Sequence, residues 1–253
     1  MEITEFVEAL RLDGALLAAA AEEAGPEAPI PACPEWRMRD LVLHVGRVHR
    51  WATRYVTEGL EQPSTPEAAP DLTDEELVPW LREGHHHLVV ALHEAPESLT
   101  AWTFLPAPSP LAFWARRQAH ETAVHRADAQ QALGAPLTPL PRAFAADGID
   151  EILAGVHSQK RSRVRTTEPK TLRVRATDAA DAEWTVQLSE APPRTVRSAG
   201  EGTDTEAAAS ADLSVEGSAE ALYLALWNRA PWKDLKVKGD ESLVRLWEER
   251  GGI

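Results

Sequence analysis

A single cysteine, Cys33, in a chain of 253 residues excludes an intramolecular disulfide and any metal cluster built from cysteine alone. Any bound metal must therefore be held mainly by His, Asp and Glu. Cys33 itself reads as a small buried hydrophobe, with a reactive thiol as the alternative. No stretch approaches the ~18 consecutive apolar residues of a membrane span, so no membrane partner is expected. Positive charge is in deficit: the formal net charge of −14 argues against a nucleic-acid partner, because phosphate binding depends on clustered Lys and Arg. The opening segment MEITEFVEAL has acidic residues where a secretory signal has basic ones, so the expected location is cytoplasmic. There is no G-x-S-x-G element to suggest a serine hydrolase, and no internal repeat.

What is present begins with helices separated by proline-rich joints. Phe6, Leu10, Leu12, Leu16 and Leu17 mark an amphipathic helix over about 4–24, ended by Gly25-Pro26. A second helix is expected from near Trp36 to about Thr57, stopped by Gly59 and the Pro63–Pro70 stretch. Thr73 and Glu76 form a capping-box signature for a third, with Leu77, Leu81, Gly84, Leu88 and Ala91 on one face. A fourth spans about 111–133 and closes at Gly134-Ala135-Pro136. These four make a helical bundle. Residues 143–158 read as a connecting helix. Beyond them the periodicity changes: 171–176 and 183–188 alternate as a hairpin, and Val196 and Leu213–Val215 add strands. Ser218 and Asp240 are expected to cap two further helices. The fold class is thus α+β, with domains at 1–160 and 161–253.

Ionisable residues fall on helix faces that should be core. In the second helix His44 shares a stripe with Leu41, Val45, Val48, Ala52 and Tyr55, while Arg39, Arg47, Arg50 and Arg54 lie opposite. A lone inward histidine is usually only a hydrogen-bonded core residue. In the fourth helix Trp114, Arg117, Gln118, Glu121, His125, Asp128 and Ala132 share one stripe, with Arg116, His120, Ala127 and Gln131 away from it. Read one way, that stripe is the solvated face and Glu121 with His125 is a surface pair. Read the other way, two inward helices bring His44, Glu121 and His125 to one divalent ion. Two imidazoles and a carboxylate suit zinc or a similar divalent ion and leave a fourth position open. Asp128, one turn past His125, either supports a ligand's second nitrogen or makes a helix-surface salt bridge. The run His85-His86-His87 cannot chelate one ion, because adjacent helical residues diverge; of the three only His87 is expected near the apolar face.

The stretch Pro31-Ala-Cys-Pro-Glu-Trp-Arg-Met-Arg-Asp-Leu-Val-Leu-His44-Val-Gly, with Trp114-Ala-Arg-Arg-Gln-Ala-His-Glu121-Thr-Ala-Val-His125-Arg-Ala-Asp128, resembles the mycothiol-dependent maleylpyruvate isomerase family. Ala211–Ser218, Leu224–Arg229 and Val237–Asp240 are similar to that family's C-terminal domain, which is related to sterol carrier proteins. The resemblance covers nearly the whole chain. It implies a DinB-like four-helix bundle followed by a small α+β domain. It also places the metal ligands on His44, Glu121 and His125, and makes the ion zinc and the cofactor mycothiol. Arg229 matches an arginine that the C-terminal domain contributes to the active site; read without the motif, it is a residue complementing a helix end.

The expected activity is therefore a metal- and thiol-dependent isomerase or S-transferase, in which mycothiol or another low-molecular-weight thiol attacks a small electrophilic substrate. Two competitors stand beside it. One is a metal-dependent hydrolase with metal-bound water. The other is a binding module without catalysis, its carrier-like domain holding an apolar ligand.

Overall fold

The structure, a computed structural model, describes residues 1–198 and 211–252. It divides into two compact units, Met1–Thr138 and Pro139–Ile253. The division falls some twenty residues before the expected boundary near 160, and the connecting helix belongs to the second unit. The reason is packing: Asp150 accepts a hydrogen bond from Trp184 Nε1 at 3.2 Å and Gly148 O accepts one from Trp227 Nε1 at 3.2 Å.

The first unit contains α1 (Ile3–Ala24), α2 (Met38–Glu58), α3 (Asp74–Glu94) and α4 (Pro110–Leu133). Their ends are set by local chemistry. Thr73 donates its backbone N–H to Glu76 Oε2 at 2.8 Å, closing the expected capping box. Ser109 Oγ accepts from Ala112 N at 3.1 Å, and Pro110 opens α4 where no N–H is needed. Gly134 ends α4 in the left-handed region, at φ 72°. α4 lies along α1 and packs on α2, while α3 packs on α1 and α2. Alanines at 115, 119, 123, 127 and 129 keep α4 narrow enough to be surrounded, and all five are buried. The face away from the ionisable stripe is enclosed as well: His120 and Ala127 are fully buried, and Arg116 and Gln131 are half-buried. The helix is thus hydrophilic in sequence and interior in fold. Among the described residues no helix is long and apolar enough to cross a membrane.

The second unit opens with α5 (Arg142–Asp150), which continues as a wider π-type turn over Glu151–Val156. A five-stranded sheet follows in the order β3-β2-β1-β4-β5. Its strands are β1 (Lys170–Ala176), β2 (Glu183–Leu188), β3 (Arg194–Arg197), β4 (Leu213–Gly217) and β5 (Lys236–Gly239). The expected hairpin forms with Leu172 opposite Val186 and Val174 opposite Trp184; β1 and β4 run parallel. The alternation buries Leu172, Val174, Trp184, Val186, Leu213 and Val215. Ser218 caps α6 (Ala219–Leu226) by accepting from Ala221 N at 3.2 Å. The residue that starts α7 (Ser242–Arg250) is Glu241, not Asp240. Asp240 Oδ1 instead accepts from Ser242 N at 3.0 Å.

Candidate metal centre

His44 stands on α2, and Glu121 and His125 stand one turn apart on α4. Their donor atoms all lie within 4.8 Å of one another. His44 Nε2 is 3.1 Å from Glu121 Oε1, and His125 Nε2 is 3.3 Å from the same oxygen. The two imidazole rings meet edge to face with centroids 4.9 Å apart. Trp36, in the loop ahead of α2, packs on both, 5.0 Å from His44 and 6.2 Å from His125. The stripe read as possibly solvated is therefore turned inward at its middle. His125 is buried and Glu121 is 20% exposed in its side chain, while His44 at 35% forms the accessible edge.

The supporting contacts are as specific as the ligands. Asp128 is fully buried and accepts from His125 Nδ1 at 2.8 Å, which turns Nε2 toward Glu121. That excludes the surface salt-bridge reading of Asp128. Arg117, nearly buried, donates from Nη2 to Glu121 Oε2 at 3.1 Å. Burial alone would push the Glu121 carboxyl up, but hydrogen bonds from His125 and His44 and the charge of Arg117 outweigh it and hold it well below its usual range. Burial alone would likewise lower His125. Hydrogen bonding to Asp128 and Glu121 reverses that and lifts it to about 9.

A proton on His125 and a divalent cation would compete for the same lone pairs. Donor chemistry, convergence and the Asp128 contact all fit such an ion. The Asp13–Arg126 pair sits deeper in the same bundle, with Arg126 Nε donating to Asp13 Oδ1 at 3.0 Å.

Other polar residues include one that sequence reasoning missed and one that it misplaced. His49 is completely buried, and its Nε2 lies 2.9 Å from Thr122 Oγ1, joining α2 to α4 next to the ligand helix turn. Burial first, then neighbouring His85, holds His49 well below the usual imidazole range. Its place four residues after Val45 and three before Ala52 was the available signal. Of the histidine run, His85 and not His87 faces inward. Its Nε2 donates to Leu10 O at 3.0 Å, and His87 is exposed. Counting from Leu81 rather than Gly84 gives this face. Cys33 is half-buried in the loop beside Trp36. Arg229 lies in the second unit, 8% exposed, and donates from Nη1 to Trp227 O at 2.7 Å.

Two family models match the chain: the mycothiol maleylpyruvate isomerase N-terminal domain over residues 7–130 and the corresponding C-terminal domain over 143–246. The chain belongs to the mycothiol-dependent maleylpyruvate isomerase family. Among solved structures, the crystal structure of the mycothiol-dependent maleylpyruvate isomerase aligns with a TM-score of 0.63 at 16% identity, covering 94% of this chain and 93% of that one. A histidine-to-alanine mutant of that enzyme aligns with the same TM-score at 14% identity and the same coverage. At such identities the likeness is one of fold. A ubiquinone-synthesis protein, UbiJ-SCP2, covers 45% of this chain at 20% identity, but its TM-score of 0.26 carries no argument. No curated protein matches. The family's helical domain followed by its mixed-sheet domain is the architecture seen here.

Proposed function

We propose that this chain is a thiol-dependent enzyme of isomerase type that uses a divalent metal, zinc by its ligand set, and mycothiol or a related low-molecular-weight thiol. The metal rests on one observation, the meeting of His44, Glu121 and His125 donor atoms within 4.8 Å. Family membership supports the thiol and the reaction type. When bound, the ion supplies Lewis acidity at an open position, favouring thiolate over thiol at neutral pH.

The chain's own residues do the rest. Asp128 fixes the His125 ring, Arg117 holds one Glu121 oxygen so that the other faces the imidazoles, and Trp36 covers both rings. The exposed edge of His44 is the side from which a small electrophile can approach. Arg229 is assigned the binding of a substrate carboxylate or developing oxyanion. A step that uses a free thiol needs a reducing compartment, which supports a cytoplasmic setting.

Metal content of protein purified without chelators, with turnover of maleylpyruvate in the presence and absence of mycothiol, tests the proposal. His44→Ala should lose zinc affinity by more than the ~10–100-fold typical of outer-shell partners, together with turnover. Arg229→Met should keep its metal and lose rate. Full zinc occupancy and rate in His44→Ala, or equal turnover without thiol, would overturn the reading. A thioether adduct as sole product would make the enzyme a transferase instead.

A further inference from the structure

The three ligand residues stand on helices that belong to different pairs. α4 lies chiefly along α1, and α2 chiefly along α3. The place of His44 relative to Glu121 and His125 is therefore decided across the seam between the two pairs. Two inward histidines span that seam. His49 of α2 is completely buried, with Nε2 2.9 Å from Thr122 Oγ1 of α4. His85 of α3 donates from Nε2 to Leu10 O of α1 at 3.0 Å. The two imidazole rings lie side by side, with centroids 5.7 Å apart. The His85 ring fills a notch that Gly14 leaves in α1, where a Cβ would collide with it. Thr122 follows Glu121 directly, and His49 lies about 7.5 Å beyond His44 along the axis of α2.

We propose that His49 is a positioning residue for the metal centre: through Thr122 it sets the distance between α2 and α4 at which His44 meets Glu121 and His125. The inference rests on the metal reading above.

Stability alone does not account for an imidazole here. The Nδ1 atom of His49 is buried with no hydrogen-bond partner among the described residues, and a buried polar atom left in that way is costly. An apolar pair of similar shape would fill the seam without that cost. What it would lose is precision. Apolar cores that are repacked lose rigidity before they lose stability, whereas a hydrogen bond fixes one donor against one acceptor. A ligand set tolerates only about 0.5 Å of displacement. Burial holds both histidines below the usual imidazole range, so neither adds a positive charge to the seam at neutral pH.

The test separates positioning from packing. His49→Leu combined with Thr122→Val removes both partners and keeps the seam filled. Its urea midpoint should equal or exceed that of the native protein. Its zinc affinity, by calorimetric titration, should fall about ten-fold, and the d–d bands of the cobalt-loaded protein should shift. His49→Gln, whose amide can still donate to Thr122, should keep most of the affinity. Lower stability with unchanged zinc affinity and cobalt bands makes His49 a packing residue and overturns the proposal. An equal loss of affinity in His49→Gln does the same. Thr122→Val alone should lose affinity as the pair does, and it carries the test if the double variant does not fold; unchanged affinity there also overturns the proposal. If the native protein takes up neither zinc nor cobalt, the metal reading fails, and crystal structures of the metal-free native and variant proteins decide the positioning role. His44 Nε2 should then leave its 3.1 Å contact with Glu121 Oε1 in the variant. An unchanged contact overturns the role.

Discussion

In the helical unit α4 buries Arg117, Gln118, His120, His125, Arg126 and Asp128, whereas the sheet unit buries Leu172, Val174, Trp184, Val186, Leu213 and Val215 on β1, β2 and β4. The sheet keeps most of its charge in ladders on the other face: Arg173 holds Glu183 through two bonds of 2.7 Å, and Glu216 takes Arg175 and Lys236. An unpaired buried charge costs several kcal/mol. The helical unit carries its buried charges in pairs: Arg117 with Glu121, His125 with Asp128, and Arg126 with Asp13. The difference shows what sets the candidate site apart: the sheet's residues satisfy alternation, while the charges of α4 are held by partners and leave ligand atoms converging.

If that contrast is real, the largest effect should come from breaking a buried partnership in the bundle. Arg126→Met leaves the Asp13 carboxylate buried and alone, and should cost about 3–5 kcal/mol in urea unfolding. Asp13→Leu with Arg126→Met together should recover most of it. A double variant as unstable as the single one would mean that packing, not charge, is at stake.

The next effect belongs to the apolar unit. His157 is buried against Trp247, with ring centroids 4.7 Å apart, and burial lowers it from 6.5 to about 4 despite a backbone hydrogen bond to Gly251. The unfolded chain takes up its proton first as pH falls. The stability contributed is therefore complete above about pH 6.5 and is lost as pH falls toward 4, by about 3 kcal/mol in full. Urea unfolding at pH 7 and pH 5 should show a smaller drop in His157→Leu than in the native protein. Equal drops would place the titration elsewhere.

The smallest effect sharpens the comparison at the site itself. Asp128→Asn keeps the shape but weakens the hold on His125 Nδ1, and should reduce zinc affinity at least ten-fold, about 1.4 kcal/mol. Calorimetric titration measures this directly. Unchanged affinity would make Asp128 a folding residue and not a support of the ligand.

Much of this was legible in residue order. The Thr73–Glu76 box, the Ser109-Pro110 and Gly134 ends of α4 and the strand alternation at 171–176 and 183–188 are local signals, and the elements formed where those signals lie. His44, Glu121 and His125 were legible as a set because helical spacing and the motifs around them agreed. His49 was missed and His85 misplaced because a helix packed by three neighbours has more than one inward face. Asp240 and Glu241 differ by one residue, which is within the reach of a turn and below the reach of a pattern.

Residue order alone determined the main helices, the β1–β2 hairpin, most of the helix caps and the types of side chain available to hold an ion. Only tertiary structure decided that α4 would be enclosed, that Asp128 would face inward, and that His49 would meet Thr122. The physical reason is that periodicity fixes directions around one axis, while burial depends on which other axes come to lie against it.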